Sequence, residues 1–323
     1  MDWILLLALF FLLLINSFGM ASGLANKLYR IGILSNTGPD LRAVRGVRNG
    51  LHDLGYREGE NLVLQISPKS SYDKLRALAA TFRESRVDVI VTIGTVETAI
   101  AKQIAGNIPI VFAPASNPLD AGFINSFSRP GTNLTGIAYD LGPEKHTKEL
   151  ELFKEALPGL TRVAILYDAT NSTRSRISTH LRRTARHLRL ALSEFAVGSI
   201  DDVTQVASSF SPRLVHGVLI VCGNLFGGDQ ETPRILRKRK IPLFGCPSQV
   251  LNHGALMSYG PNGYLMGRRA AWYIDRILKG EPPQFLPVGN PAHFELIVNL
   301  KTADNLAIKI SPDVLQRADK VIK

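Results

Sequence analysis

The chain has 323 residues, 45% hydrophobic and 20% charged, with no low-complexity tract and no heptad run. This is the composition of an ordinary folded protein with room for two cores, and it excludes a disordered or fibrous chain. The formal net charge of +11 invites a polyanionic partner, yet the chain has no helix-turn-helix and no zinc-ligand spacing with which to read bases, so no nucleic-acid partner is expected.

Ile4 to Ile15 is an uninterrupted apolar run, followed by Asn16, Ser17 and the small-residue stretch Gly19 to Ala25. These read as the apolar and cleavage regions of a secretory signal over residues 1–25, cut after Ala21 or Ala25. The segment before the run holds Asp2 and no Lys or Arg, so either the start lies upstream or the leader is atypical. The competing reading is an uncleaved anchor over Trp3 to Ala25, with Lys27 and Arg30 holding the body in the cytoplasm. The short apolar run favours cleavage, and with it the periplasm.

The first lobe begins at Leu28. A strand over Ile31 to Ser35 runs through a turn, Asn36 to Pro39, into a helix over Asp40 to Leu54 closed by Gly55. A strand over Asn61 to Ile66, a helix over Tyr72 to Ser85 and a strand over Val87 to Gly94 follow. Thr95 stands where an N-cap would open a helix over Val96 to Ala105. Strands over Ile108 to Phe112 and Thr135 to Tyr139 flank the loop PASNPLDAG. After a helix over Pro143 to Leu157 the order repeats: strand Arg162 to Tyr167, helix Arg174 to Leu188, strand Leu190 to Phe195, helix Ile200 to Phe210, strand Gly217 to Val221, strand Pro242 to Phe244 and the segment Ala255 to Tyr259. Beyond Gly260 come a helix over Tyr264 to Lys279, a Pro-rich stretch and a strand over Phe294 to Leu300.

Apolar, β-branched runs separated by amphipathic stretches read as buried parallel strands alternating with helices. RIGILS is echoed by RVAILYD, VDVIVTIG by HGVLIVCG and IPIVFAP by IPLFGCP, about 130 residues apart. The fold class is therefore α/β, with two Rossmann-like parallel-sheet lobes. Lobe 1 takes residues 26–140 plus 261–281, and lobe 2 takes 141–260 plus 282–323. The returning segments make a hinge of several strands between them.

The two cysteines, Cys222 and Cys246, end neighbouring strands of the second lobe, and neither lies near the leader, which excludes a lipid-modified N-terminus. A disulfide is one outcome in an oxidising compartment. Two buried free thiols are favoured, because side chains on adjacent parallel strands seldom meet disulfide geometry. Two basic clusters stand out: Arg174, Arg176, Arg182, Arg183, Arg186 and Arg189 on one helix, and Arg237 to Lys240 at the end of another. Both read first as solvated faces.

Open parallel sheets bind ligands beyond the carboxyl ends of their strands. That rule selects Asn36, Thr37, Thr95, Ser116, Asn117 and Tyr139 from lobe 1, and Asp168, Asn171, Ser172, Asn224, Phe226, Ser248 and Tyr259 from lobe 2. The set suits a small polar ligand with an apolar part, although each polar member equally fits a capping or turn role. No histidine pair has metal-ligand spacing, and GxGxxG, Walker and GxSxG patterns are absent, so no metal, cofactor or catalysis is expected. A racemase would want a thiol from each lobe, and both thiols are in lobe 2.

GALMSYGPN (Gly254 to Asn262), GRRAAWYIDRILKGEPPQFLPV (Gly267 to Val288) and the stretch from His293 to Ile322 resemble the substrate-binding proteins of an ABC transporter family that includes tryptophan and tyrosine binders. LHDLGYREGENLVLQ (Leu51 to Gln65) and the segment from Ile108 to Ile137 agree. The resemblance implies the type I periplasmic binding fold, a monomer that closes on one small molecule and delivers it to an inner-membrane permease. It implies that Thr95 and Ser116 hold a ligand carboxylate, with Asn171 and Asn224 as candidates in lobe 2. Two departures bear on the ligand: Asn117 stands where relatives carry Asp before Pro, and Thr95-Val96-Glu97 replaces a smaller turn. Losing a carboxylate removes a partner for an ammonium group. A sensory ectodomain serving a membrane signalling partner is the alternative, and a sugar-repressor-like regulator is disfavoured because a leader occupies the headpiece position.

Overall fold

The computed structural model describes residues 27–323 except 40, 140, 141, 172, 224, 227, 228 and 247, so the expected leader lies outside the described residues. The chain divides into two compact units. One takes the chain up to Asp140 together with Gly263–Asn290, and the other takes Leu141–Asn262 and Pro291–Lys323, so the backbone passes between them three times.

The first unit contains β1 (Tyr29–Leu34), α1 (Arg42–Asp53), β2 (Leu62–Ile66), α2 (Tyr72–Glu84), β3 (Val89–Thr92), α3 (Thr95–Ile104), β4 (Ile110–Ala115) and β5 (Leu134–Ala138). The strands form a parallel sheet in the order β2-β1-β3-β4-β5. Alternate residues feed opposite faces, as strand periodicity requires. Ile31, Ile33, Val89 and Val91 join a core with α1 and the returning helix Gly263–Leu278, while Leu34, Ile90, Ile110 and Phe112 join one with α2 and α3.

The second unit contains α4 (Pro143–Ala156), β6 (Arg162–Asp168), α5 (Arg174–His187), β7 (Ala191–Val197), α6 (Ile200–Ser209), β8 (Gly217–Ile220), α7 (Glu231–Lys238), β9 (Leu243–Phe244) and β10 (Met257–Pro261). The returning helix Gly263–Leu278 is α8. It is followed by β11 (Phe294–Asn299), α9 (Leu300–Leu306), α10 (Pro312–Arg317) and β12 (Lys320–Ile322). The sheet order is β12-β11-β10-β9-β8-β6-β7. Its β7-β6-β8-β9-β10 portion repeats the order of the first sheet, the structural counterpart of the sequence echo. β11 runs antiparallel to β10, which makes this sheet mixed.

Packing in the first unit is closest where α1 crosses α8. A Cβ added to Gly46 would run into the carbonyl oxygen of Tyr264, and one added to Gly267 into that of Ala43. Only glycine lets two helix backbones approach so closely.

Two expectations are corrected. Residues 282–290, assigned from sequence to the second lobe, belong to the first unit. Thr135 Oγ1 donates to the Leu286 carbonyl (2.8 Å), and Gly289 N–H to the Gly136 carbonyl (2.9 Å). The cysteines are not free: a disulfide joins Cys222 and Cys246, with Cα atoms 5.3 Å apart. Both stand two residues past the ends of β8 and β9. There the chains have left the ladder, so the strand geometry that disfavours a bridge no longer applies. Among the described residues, no helix is long and apolar enough to cross a membrane.

Candidate ligand-binding site

In the first unit, the residues expected at the carboxyl ends of β1, β3, β4 and β5 are held by local hydrogen bonds. Asn36 donates its N–H to Glu97 Oε1 (3.2 Å) and its side-chain Nδ2 to the Tyr72 hydroxyl (3.1 Å). Thr95 Oγ1 accepts the Ser116 N–H at 2.9 Å, tying the start of α3 to the end of β4. Thr95 is thus the first residue of α3 rather than its N-cap; Gly94, at φ 131°, takes the cap position. The reason is steric, because a Cβ on Gly94 would occupy the space of the Glu97 carboxylate. Thr37 pairs with Ser35 Oγ (3.0 Å), Asn117 adopts φ 44°, and Tyr139 N–H donates to the Ala115 carbonyl (2.7 Å).

Glu97 was not among the residues selected from sequence. It is only 3% exposed, and burial pushes its carboxyl above the usual 4.5 despite the hydrogen bonds it accepts from its own N–H and that of Asn36. Among the described residues, no Lys, Arg or His forms an ion pair with it, so the carboxylate is buried without a counter-charge. Its spacing of three residues from Gly94 was visible, but reads as an ordinary first-turn acid.

In the second unit, the expected residues divide differently. Asp168 is consumed by its own loop: Oδ1 accepts from Thr170 N–H (2.9 Å) and Oγ1 (2.6 Å), and Oδ2 from Leu225 N–H (3.2 Å). Asn171 Oδ1 likewise accepts from Thr173 N–H (2.9 Å) and Oγ1 (2.7 Å), ahead of α5. Phe226 is corrected to a core residue. It is fully buried in the cluster containing Val218, Ile220, Leu236 and Val250, where its ring anchors the loop. Tyr259 stacks on Phe294 with ring centroids 5.4 Å apart, and its hydroxyl is made less acidic first by burial, then by Glu149 and Asp319. Ser248 opens the turn Ser248–His253, while Ser172 and Asn224 lie outside the described residues.

A buried polar cluster on α4 was also missed. Lys145 Nζ lies 2.6 Å from Glu149 Oε1, a charge contact off the line of a hydrogen bond, and 3.0 Å from Cys222 Sγ. His146 Nδ1 and Glu149 Oε2 are 2.7 Å apart. Burial lowers the pKa of both Lys145 and His146, with the Lys145 charge adding to the effect on His146 and the Glu149 carboxylate opposing it in each. The run KHTKE reads as a solvated helix surface, yet residues 145, 149, 152, 153 and 156 share the buried face. Glu149 is therefore a compensated charge, unlike Glu97.

Against a tyrosine-binding protein of Clostridioides difficile (strain R20291) the chain is 24% identical over 276 residues, covering 84% of this chain and 79% of that protein. A conserved domain protein of Vibrio cholerae O1 biovar El Tor superposes with TM-score 0.76 at 26% identity, over 91% of this chain and all of that one. A Streptococcus pneumoniae ABC domain solved with L-Trp superposes with TM-score 0.78 at 22% identity, over 92% of this chain and all of that one. The fold is that of type I periplasmic binding proteins. Residues 32–322 match the family model described as ABC transporter substrate binding protein; the chain belongs to that family, a non-catalytic transport component that binds a small ligand.

Proposed function

We propose that the protein is exported through its apolar leader, binds an amino-acid-like ligand by its ammonium group, and delivers it to an ABC permease. The observation that carries the ligand class is Glu97, a buried carboxylate with no cation beside it at the strand ends of the first unit. An isolated buried carboxylate costs several kcal/mol, on the order of what a cationic ligand returns. Buried carboxyls at strand ends whose ionisation is perturbed are found at binding sites.

Glu97 thus supplies the carboxylate that Asn117 does not. Thr95, two residues before Glu97 at the start of α3, and Ser116, which donates its N–H to Thr95 Oγ1, are offered for the polar remainder of the ligand. Tyrosine and L-Trp, named for two of the relatives, both carry an ammonium group. The test is a thermal-shift panel of amino acids set against their deaminated counterparts. A ligand that binds the folded state raises the melting temperature by mass action. Shifts confined to the amino compounds support the reading, and equal shifts with the deaminated compounds would refute it.

A further inference from the structure

We propose that the outward face of α5 is a docking surface for anionic phospholipid, by which the protein stays against the membrane that holds its transporter. Between Asp168 and Glu194 the sequence contains six arginines and two histidines and no acidic residue. Helical spacing sorts them into two adjacent rows. Arg176, His180, Arg183 and His187 form one, and Arg182 and Arg186 the other, with Arg189 just past the helix end at φ 54°; all are exposed. Ile177, Leu181 and Ala185 occupy the opposite, buried face. Of the arginines, Arg182 is engaged with Glu194 at 2.5 Å.

Three of the four acids on the neighbouring helix α4, all but the first-turn Glu144, have their own partners. Glu151 pairs with Lys148, Glu155 with Arg317, and Glu149 with Lys145. The result is a positive strip about 20 Å long, the length of a 14-residue helix. Such a strip on a folded domain is attracted to an anionic leaflet by roughly additive contributions from each arginine.

The chemistry of the face selects lipid over a protein partner. Protein interfaces are built on buried aromatic and apolar anchors ringed by polar groups. None of the exposed large apolar side chains, which include Leu54, Leu119, Leu214 and Phe285, lies on α5. The face offers charge, hydroxyls and imidazoles, suited to headgroup phosphates and to no hydrophobic pocket. The second basic cluster differs in two of its four members: Arg239 donates to the Phe210 carbonyl and Lys240 to that of Asn305. Those charges serve the fold locally.

The inference rests on the family assignment only for where the protein works. Its test is co-sedimentation of the full chain with phosphatidylcholine vesicles and with vesicles containing phosphatidylglycerol, at low salt. Binding is expected to the anionic vesicles alone, and to vanish as salt rises from about 0.1 M to about 1 M, which shortens the Debye length from about 10 Å to about 3 Å. Each arginine near an anionic surface multiplies partitioning about fivefold, so Arg176→Gln/Arg183→Gln/Arg186→Gln is expected to lower it about a hundredfold. The control Lys238→Gln/Lys301→Gln/Lys309→Gln removes the same charge elsewhere and should retain most binding. Equal loss in both triple variants would mean that net charge, not this face, is responsible, and would overturn the proposal. So would no vesicle binding by the wild type, or tighter binding to an acidic peptide or an oligonucleotide than to vesicles. Ligand affinity measured in the same variants separates a failure of this face from a failure of the binding-protein reading.

Discussion

Two sheets that share a five-strand order each have a buried glutamate on a flanking helix, and the surroundings of the two differ. Glu149 in the second unit has Lys145 at 2.6 Å and His146 at 2.7 Å, packed beneath the Cys222–Cys246 disulfide. Glu97 in the first unit has two backbone N–H donors and no cation among the described residues. The first arrangement is closed upon itself, so it stabilises and positions the loops after β8 and β9. The second leaves a charge for something else to satisfy. A duplicated topology thus carries a buried ion cluster in one copy and, in the other, a buried carboxylate with no cation paired to it among the described residues.

The contrast can be broken most strongly in the second unit. Lys145→Met alone leaves Glu149 uncompensated and should cost about 3–5 kcal/mol, measured by urea unfolding, whereas Lys145→Met/Glu149→Leu should recover most of that loss. A double variant as unstable as the single one would show that the cluster does not act as a pair. Reducing the disulfide, which spans 24 residues, should cost about 3 kcal/mol. In the first unit, Gly46→Ala tests packing remote from Glu97 and should cost about 1–3 kcal/mol through the α1–α8 crossing.

Smaller effects come from titration, and the two units run in opposite directions. His146 is held below its usual 6.5, so the unfolded chain binds the extra proton and stability falls as pH drops through 6.5 toward the folded value. Glu97 is held above its usual 4.5, so the folded chain binds the extra proton and stability falls as pH rises above 4.5 through the folded value. Glu97→Gln should therefore raise the melting temperature at pH 7, with the gain shrinking as the pH approaches 4.5. A lower melting temperature at pH 7 would mean that Glu97 is structural, like Glu149.

Much of this was legible in the sequence. Apolar runs ending in Gly, Ser or Asp gave both sheets, because buried parallel strands read as continuous hydrophobic stretches. The strand-end rule selected Asn36, Thr95 and Ser116; the fold ties Asn36 to Glu97 and Ser116 to Thr95. It failed where a side chain turns inward: Phe226 enters the core, and Asp168 spends both oxygens on Thr170 and Leu225. Lys145 and Glu149 were hidden because a charged helix segment reads as solvated until its tertiary neighbours are known. The short α9 and α10 and strand β12 lie in a tail whose pattern is too brief for periodicity to resolve.

The most direct test of the contrast is isothermal calorimetry of the wild type and Glu97→Gln with the amino compound that gives the largest thermal shift, repeated with its deaminated counterpart. A charge-assisted hydrogen bond is worth about 1.5–3 kcal/mol, so the substitution should weaken binding of the amino compound by roughly 10- to 150-fold and leave the deaminated one almost unchanged. Wild-type affinity should also rise with pH as Glu97 ionises. Equal affinities for the amino compound in the two proteins would contradict the assignment of Glu97 as the ligand's partner.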